Sequence, residues 1–318
     1  MLEALTKTYA LPQRHQVTKN KSREKRNSQT PWCLRDFVAT LFDRLSREVF
    51  RNFTHMRDSV NNKNTVCVLG ALLMMSSFAF GQSNAGGSAT IEPTMIIDKP
   101  TAGMLHRGNY YANASFFEQG GVLFGVSVGL MDRFNFGISY GGTNILGTNK
   151  PEMNPYPGVN VKIRVLDESA SAPAVAAGFE WQGRGAYIDD LKRYTSKSPG
   201  FYAVASQNYA ILGNLSMHGG LNLSTETGDG DKDLNAFFGV EKSMGKDISI
   251  LAEYDFGLND NSANAIGRNR GRGYLNLGFR WSWGKGLVLG ANIKDILKNQ
   301  GDITVGNRTI QIEYVGTF

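Results

Sequence analysis

The sequence predicts an all-β fold: a transmembrane antiparallel up-and-down β-barrel of about 12 strands, preceded by a cleavable signal peptide. Three observations predict it. Segments of about ten residues with alternating polarity recur from residue 107 to residue 318, which is the pattern of strands that cross a bilayer at a tilt. Short and long connections alternate between these segments. The last segment alternates apolar and polar residues and ends on Phe318.

The basic residues of the chain concentrate near its N-terminus. Residues 1–64 hold 13 of the 34 Lys and Arg residues and 6 of the 28 Asp and Glu residues, so the net charge of +6 belongs to this part. The remainder carries 21 basic and 22 acidic residues. Because that remainder is nearly neutral, it has no general basic character that would favour nucleic acid, and we expect no nucleic-acid partner.

Residues 56–81 have the features of a secretory signal peptide. Arg57 and Lys63 precede the apolar run 65–80, and small residues precede a cleavage point after Gly81. The run of 16 residues is shorter than the ~20 residues that a membrane-spanning helix needs. A buried core helix is the alternative interpretation. The signal peptide predicts export from the cytoplasm.

The part of the chain before the signal peptide invites a separate explanation. Met56 would be a natural initiator, so we expect residues 1–55 to come from a start site assigned too early. A helical or disordered extension is the alternative, since residues 32–53 have helical spacing. Both cysteines, Cys33 and Cys67, lie in the removed part, so neither a disulfide nor a thiolate site is expected in the exported chain.

Residues 82–106 are rich in Gly, Ser, Pro and Thr, and we expect them to form a periplasmic lead-in to a barrel at residues 107–318. Along the barrel segments, apolar side chains alternate with small or polar ones, as strand geometry requires when the two faces meet different surroundings. The pattern does not decide which face of the sixth and eighth segments points inward. The predicted strands span residues 107–118, 121–131, 134–142, 158–167, 173–183, 200–210, 214–226, 234–243, 247–257, 273–283, 286–297 and 308–318.

The lengths of the connections support a membrane barrel independently. They are short after strands two, four, six, eight and ten, whereas residues 142–157, 184–199 and 258–272 form long connections after strands three, five and nine. The connections after strands seven and eleven are intermediate, and on this side only the first one, at residues 119–120, is tight. Bacterial barrels place short turns at the periplasmic side and long loops outside. With an even number of strands, the first strand begins and the last strand ends on the short-turn side. A soluble sandwich has no reason to segregate loop lengths in this way.

Strand periodicity alone does not distinguish the inside of a barrel from its outside. The export signal, the terminal Phe and the loop asymmetry favour apolar residues toward lipid and charged residues toward the lumen. The signs alternate by strand, which predicts Glu180 close to Lys162 and Arg164, and Glu313 beside Lys294. Such groups either line a path for ions or sugars, or satisfy one another in a filled interior. The predicted lumen-lining residues are Lys162, Arg164, Glu180, Glu253, Asp255, Arg280, Lys294 and Glu313.

Aromatic residues cluster near the predicted strand ends. Trp281 and Trp283 lie near a short turn and Tyr140 lies near a long loop, as in the aromatic girdles of membrane barrels. Tyr187 and Tyr194 fall inside a long loop, where they fit either loop packing or a surface on which sugars stack. The pattern predicts girdles and loop packing first.

The exported part offers little for catalysis or metal binding. His106 and His218 are its only histidines, and no Ser-His-Asp set can be assembled from their spacing, although His218 is an inward candidate. We expect no enzyme activity, no catalytic residue, no metal and no cofactor. Asp229, Asp231 and Asp233 imitate the start of a calcium loop but lack its distant Glu, so an exposed acidic loop is expected.

The C-terminal strand carries a further signal. Ile310, Ile312, Tyr314 and Phe318 share one face of an extended strand, and polar residues occupy the other. A closing strand of this kind resembles the C-terminal signature of bacterial outer-membrane β-barrels. The resemblance implies that Tyr314 and Phe318 form the insertion signal that barrel-insertion machinery reads.

Several short stretches of the chain resemble the YjbH-like family of outer-membrane proteins. The resemblance implies a barrel fold and a link to exopolysaccharide or capsule production, and it brings no site residues with it. Larger members of that family carry more than one barrel-sized unit. The matching stretches are Pro100–Gly103, Phe136–Gly142, Pro157–Arg164, Pro173–Gly178, Ser198–Tyr202 and Lys294–Leu297.

These observations predict a single barrel in the outer membrane of a Gram-negative-type bacterium. The main hypothesis is a narrow, porin-like channel or cell-envelope component that assists the passage of exopolysaccharide or small solutes. The first alternative is a structural or adhesive barrel with a plugged lumen and functional external loops, and the second is an outer-membrane hydrolase. The expected partners are outer-membrane lipid, the barrel-insertion machinery, and polysaccharide or small solutes.

Overall fold

The structure, a computed structural model, describes residues 92–261, 271–300 and 307–318. All of these belong to the second of two compact units, Leu73–Phe318. The predicted extension at 1–55 and the predicted signal peptide lie outside the described residues, and so does the first part of the expected lead-in. Within the described residues, no helix is long and apolar enough to cross a membrane.

Twelve antiparallel strands form a closed barrel, which confirms the predicted fold class. Each barrel strand pairs with its neighbours in chain order, and the last strand pairs with the first, so the barrel has no free sheet edge. The bounds agree with the predicted ones to within a few residues. The strands are β1 (Asn109–Phe117), β2 (Gly121–Met131), β3 (Phe134–Thr143), β4 (Glu152–Met153), β5 (Gly158–Leu166), β6 (Ala174–Glu180), β7 (Arg184–Ile188), β8 (Arg193–Ser196), β9 (Gly200–Tyr209), β10 (Leu215–Leu223), β11 (Asn235–Met244), β12 (Ile248–Asp255), β13 (Tyr274–Gly284), β14 (Leu287–Lys294) and β15 (Asn307–Thr317).

Three of these strands lie outside the barrel wall and were not predicted. β4 pairs with the end of β3, while β7 and β8 form a separate hairpin within the long connection between β6 and β9. Strands of two to five residues are too short to show a clear alternation in sequence. They lie in the long connections and add short sheet structure at the long-loop end of the barrel.

Apart from the tight turn between β1 and β2, short and long connections lie at opposite ends of the barrel, as predicted. The turns after β2, β5, β9, β11 and β13 are short. The start of β1 and the end of β15 lie on the same side as these turns, where the Phe318 N–H donates to the Gly108 carbonyl at 3.0 Å. The long-loop end is the external end in bacterial barrels. We therefore call the two ends the periplasmic end and the external end.

The outward face of the barrel is apolar. Phe124, Ile138, Ile250 and Ile310 are each about half exposed, at 57%, 53%, 48% and 59%. The hydrocarbon part of a bilayer, which has no hydrogen-bonding groups, suits such a surface, and the closed ring of strand pairs satisfies the backbone groups of the wall within the sheet. The apolar face of the closing strand also points outward, as predicted.

The strands whose facing was left open both turn apolar residues inward. Tyr202 and Val204 of β9 and Phe237 of β11 are almost fully buried. They point inward because they pack against an apolar surface inside the lumen. Sequence periodicity could not reveal that surface, since it comes from a distant part of the chain.

That surface belongs to residues 92–105, which lie against the inward-facing side chains and which we call the inner segment. Its Ile96, Ile97 and Ala102 form a buried core with residues of the wall, among them Leu251 of β12. At Gly239 a Cβ would lie 2.5 Å from Ile96 Cδ1, so the absence of a side chain allows the inner segment to approach the wall. The sequence predicted a periplasmic lead-in for this stretch and did not predict its contact with the lumen.

Candidate functional site

The residues predicted to line the lumen have low solvent exposure. Seven of the eight are buried, with Glu253 at 0%, and the side chain of Lys294 is 14% exposed. They come from β5, β6, β12, β13, β14 and β15, whose inward positions alternate with outward apolar ones. Most of them contact the inner segment, and this arrangement decides what the lumen can do.

The basic side chains hold the inner segment by its backbone carbonyls. The Lys162 ammonium donates to the carbonyls of Thr94, Thr101 and Gly103 at 2.7, 3.0 and 3.2 Å. Since these carbonyls belong to a short stretch that is neither helix nor strand, the ammonium supplies partners that a sheet would otherwise provide.

Two arginines hold the same segment at other points. The Arg280 guanidinium donates to the carbonyls of Met95 and Ile96 at 3.0 and 2.7 Å. Arg164 forms an ion pair with Glu92 at the start of the segment. The basic residues of β5 and β13 therefore bind the inner segment and do not project into an open lumen.

Glu253 of β12 holds backbone N–H groups of the inner segment. One carboxylate oxygen of Glu253, Oε2, accepts hydrogen bonds from the N–H groups of Ile97, Asp98 and Lys99 at 3.0, 2.9 and 2.8 Å. Three consecutive N–H groups directed at one oxygen form an anion-binding nest. The second oxygen, Oε1, accepts from Asn276 at 2.9 Å, so both oxygens of this carboxylate are satisfied.

A ladder of alternating charges continues from the inner segment to the external end. Lys99 lies 2.6 Å from Asp255. Asp98 lies 2.7 Å from Lys294 and 3.7 Å from Arg184, and Arg184 is in turn 2.9 Å from Glu180. Each of these charges has an opposite partner, as groups removed from water require.

Of the charge pairs predicted from the sequence, one is confirmed and two are wrong. Glu180 lies opposite Asn160 and therefore diagonal to Lys162, as predicted, whereas Arg164 lies four positions along β5 from Asn160, too far from Glu180. Glu313 lies opposite Val288, whereas Lys294 lies opposite Asn307.

The charges therefore find other partners than the predicted ones. The nearest basic group to Glu313 is Arg280, at 3.8 Å, and Lys294 pairs with the inner segment instead.

Other charged residues of this site are not predicted by the sequence pattern. Glu241 lies 3.5 Å from Arg280 and was missed because the facing of β11 was left open. Asp98 and Lys99 were missed because the inner segment has no periodicity. Arg184 was counted as part of a loop.

One side of the lumen is not covered by the inner segment. Along β15, β1, β2 and β3 the wall carries Gln, Asn, Ser and Gly, and it encloses a cavity of about 80 Å³ between itself and the segment. A cavity of about 40 Å³ lies toward the external end, and cavities of about 10 Å³ adjoin the main cavity on both sides. Each of these cavities shares lining residues with the main cavity. Arg184 is shared with the cavity toward the external end, Ser115 and Leu123 with one of the small cavities, and Tyr111 and Glu313 with the other.

The external end carries a cap of paired charges. Arg193 of β8 is fully buried and lies 2.6 Å from both Asp229 and Asp260, which belong to two other loops. Lys197 lies 2.8 Å from Asp229. Burial would raise the pKa of Asp229, but the hydrogen bond from Lys197 and the neighbouring positive charges outweigh it and hold that pKa below its usual value. We call this arrangement the external cap.

The cap corrects the expectation of an exposed acidic loop at residues 229–233 for two of its three acidic residues, while Asp233 is exposed as expected. Asp229 and Asp231 are buried, because the hairpin of β7 and β8 folds over them and supplies the cations. In the part of the chain that the structure describes, no group of three or more His, Cys, Asp or Glu residues is arranged to hold a metal ion.

His218 points inward, as predicted, and is buried. Its Nδ1 lies 2.8 Å from the Ser206 hydroxyl, which also accepts a hydrogen bond from the Ala102 N–H at 2.9 Å. The inner segment therefore covers this Ser–His contact. A buried contact of this kind fits structural support of the inner segment.

The predicted insertion signal lies on the outer face at the periplasmic end. Tyr314 is 42% exposed and Phe318 is 78% exposed. Phe318 stacks on Tyr110 of β1 with ring centroids 5.7 Å apart, so the last residue of the chain is joined to the first strand. Its role in insertion stays a prediction.

A closed antiparallel barrel with an apolar outer face, charged inner face and short turns at one end is the architecture of a transmembrane β-barrel. The prediction of a membrane-spanning β-barrel is therefore confirmed at the level of architecture, and this architecture is the one that bacterial outer-membrane barrels have.

Comparison with protein-family models gives no match, and comparison with curated proteins gives none. The resemblance to the YjbH-like family therefore stays a prediction. Among solved structures, the chain is similar to a KdgM porin at 9% identity and a TM-score of 0.40, over 65% of this chain and 98% of that chain. A KdgM porin in complex with disordered oligogalacturonate gives 9% identity and a TM-score of 0.41, over the same shares. Outer membrane phospholipase A from Escherichia coli gives 10% identity and a TM-score of 0.32, over 67% of this chain and 90% of that chain. Matches of this size carry no argument about function.

Proposed function

We propose that the protein is a narrow passive channel for water and small solutes across the outer membrane. The observation that carries the proposal is the row of polar cavities between the inner segment and the wall formed by β15, β1, β2 and β3. This row reaches from Glu92 and Leu105, at the base of the segment, to Glu118 and Thr195 near the external end.

The width of this path limits what it passes. A cavity needs about 10–15 Å³ to hold one water molecule, so the main cavity of about 80 Å³ holds several waters and the connecting ones hold about one each. With the inner segment in place, the path suits water and small ions. Passage of an exopolysaccharide chain, which the YjbH-like resemblance implies, would require residues 92–105 to leave the lumen.

The charged groups along the path would set its selectivity. Lys162 and Arg280 line the main cavity together with Glu180 and Glu313, so a passing ion meets both signs within the same cavity. Neutralising a basic residue would therefore shift the preference toward cations, and neutralising an acidic residue would shift it toward anions.

Single-channel recording in a planar bilayer tests the proposal. Ser127 of β2 lines the main cavity, and we expect Ser127→Leu to reduce the conductance several-fold because the larger side chain fills the path. The matched control is Val126→Leu, at the next position, whose side chain is 47% exposed on the outer face. Wild-type protein without conductance above that of an empty bilayer would contradict the proposal, and so would equal conductance of the two variants.

A structural or adhesive barrel with a plugged lumen is the second candidate. The many contacts between the inner segment and the wall favour it. The strongest set is the three N–H groups of residues 97–99 that donate to Glu253, which we call the Glu253 clamp. The same recording separates the two candidates, because a plugged barrel would conduct no ions. No observation favours the hydrolase, since the inner segment covers the contact of Ser206 with His218.

A further inference from the structure

We propose that the external end of the barrel carries a saccharide-binding pocket, separate from the lumen path. The pocket has a volume of about 230 Å³ and is walled by the aromatic residues Tyr156, Trp181, Tyr187 and Tyr194. Drug-sized ligands occupy pockets of roughly 300–1,000 Å³, so this one suits a smaller ring. The proposal does not depend on whether the lumen conducts.

Three different connections build the pocket. Tyr156 comes from the loop between β3 and β5, Tyr187 and Tyr194 come from the hairpin of β7 and β8, and Glu226 comes from the loop between β10 and β11. Trp181 follows the end of β6. The long loops thus gather aromatic side chains at the external end, where a molecule outside the cell can reach them.

Tyr156 and Trp181 offer open aromatic surfaces of the kind that sugar rings use, whereas Tyr194 is buried and forms part of the wall. Tyr156 is 66% exposed and Trp181 is 49% exposed, although both border a concave pocket. Tyr187 and Tyr194 meet edge to face, with ring centroids 5.1 Å apart. A pyranose ring has an apolar face of C–H groups that stacks on an aromatic ring and a rim of hydroxyls that needs polar partners.

Polar groups for those hydroxyls lie at the same pocket. The exposed Lys192 side chain and Thr225 line it, and tyrosine hydroxyls can donate or accept hydrogen bonds. A mostly aromatic wall with a few polar groups is typical of a small-ligand site. A purely apolar ligand would leave these polar groups without a partner.

The walls are held in place without a ligand. The Glu226 carboxylate accepts hydrogen bonds from the N–H groups of Tyr194 and Ser198 at 2.9 and 3.0 Å, which joins the hairpin to the neighbouring loop. Arg193, beside Tyr194, anchors the hairpin from its other face in the external cap. A preformed pocket loses less conformational entropy on binding than a flexible loop would.

The sugar ring could come from two sources. One is a soluble oligosaccharide, and the other is the glycan of lipopolysaccharide in the same membrane. Trp181 lies in an aromatic cluster with Phe179 and Phe201 on the outer face of the barrel, with ring centroids 6.3 Å apart for the first pair, so the pocket opens beside the lipid-facing surface. Both sources present the same ring chemistry, and the experiment distinguishes them.

Fluorescence of Trp181 provides a local readout. Among the described residues the other tryptophans are Trp281 and Trp283, which lie near the short turn at the periplasmic end. In a background with Trp281→Phe and Trp283→Phe, and Trp32→Phe in the N-terminal region, the signal reports on the pocket alone. The probes are maltohexaose, cellohexaose and a hexamer of galacturonic acid, added to detergent-solubilised protein, and rough lipopolysaccharide in nanodiscs.

We expect a saturable change of the Trp181 signal with at least one probe. Tyr156→Ala should weaken binding by about tenfold, and Tyr156→Phe should retain most of it because the ring remains. The matched control is Tyr140→Ala, which removes a 42% exposed tyrosine near the external end but outside the pocket. Heat-modifiable migration in gels checks that every variant is folded.

Each outcome decides the proposal. Binding of a soluble hexamer assigns the pocket to an external oligosaccharide, and binding of lipopolysaccharide alone assigns it to the membrane glycan. No saturable change with any of the four probes would overturn the proposal. Equal affinity of the folded Tyr156→Ala and Tyr140→Ala variants would overturn it as well.

Discussion

The clamp between Glu253 and the inner segment makes the sharpest prediction. Glu253→Ala removes the oxygen that accepts three consecutive N–H groups, at 2.8–3.0 Å, in a fully buried position. We expect the variant to keep its barrel, because β12 retains its pairing with β11 and β13, and to release residues 92–105 from the wall. Release of the inner segment would also raise the conductance.

The magnitude follows from the three hydrogen bonds. Hydrogen bonds to a charged group contribute about 1.5–3 kcal/mol each, so three of them contribute roughly 4.5–9 kcal/mol if they are independent. They share one oxygen, and the freed N–H groups regain water as the segment opens, so the net loss is smaller. At about 1–1.5 kcal/mol net for each ordinary hydrogen bond, three of them amount to about 3–5 kcal/mol, which we take as the expected loss.

Hydrogen–deuterium exchange of the peptide that covers residues 92–105 measures this loss. Since about 1.4 kcal/mol corresponds to a factor of ten, a loss of 3–5 kcal/mol should speed exchange by about two orders of magnitude or more. The milder Glu253→Gln keeps one neutral oxygen and should give a smaller increase.

A control variant guards against general loosening of the strand. Ser249→Ala changes another buried, inward position of β12, whose hydroxyl is hydrogen-bonded to Glu241. It should leave exchange of the inner segment within a few-fold of the wild type. If Glu253→Ala and Ser249→Ala gave the same exchange, the clamp would not be what holds the segment.

Two further predictions concern the external cap and the C-terminus. Asp229 has a lowered pKa, so its contribution to the cap is present above its ordinary pKa of 3.8 and is lost as the pH falls through the lower value of the folded protein. Exchange protection of residues 193–197, corrected for the intrinsic effect of pH on exchange, should therefore fall in acid. The Asp229→Asn variant should have low protection at every pH. If this variant still lost protection in acid, the titration of Asp229 would not be the cause. For the second, Phe318→Ala should lower the yield of assembled barrel in cells while costing the purified barrel only about 0.5–1.5 kcal/mol of stacking on Tyr110. Phe201→Ala removes another exposed aromatic, at 60% exposure, and equal yields of the two variants would argue against an insertion signal.

The barrel strands could be predicted because their pattern is local. Each strand shows its two faces within about ten residues, and the segregation of short and long connections follows from the order of strands alone. Ile310 and Tyr314 point outward in the structure, as their alternation with Gln311 and Glu313 indicated. The short hairpin of β7 and β8 escaped notice because strands of four and five residues show too little alternation.

The partners of the lumen charges could be predicted only in part. Glu180 lies diagonal to Lys162 as expected, since adjacent strands determine that geometry. Lys162 and Lys294 bind the inner segment instead of neighbouring strands, and Glu253 binds both the inner segment and Asn276 of β13. The pairing of charges across a lumen depends on register and on what occupies the space between the strands.

The sequence by itself determined the all-β class, the twelve barrel strands and the two ends of the barrel, because alternation and loop length are properties of neighbouring residues. Only the tertiary structure decided the content of the lumen. Ile97 and Glu253 are 156 positions apart, and no periodicity connects an irregular stretch before the first strand with a carboxylate on the twelfth element of the chain. The same holds for the aromatic pocket, whose walls come from separate connections that meet only when the barrel closes.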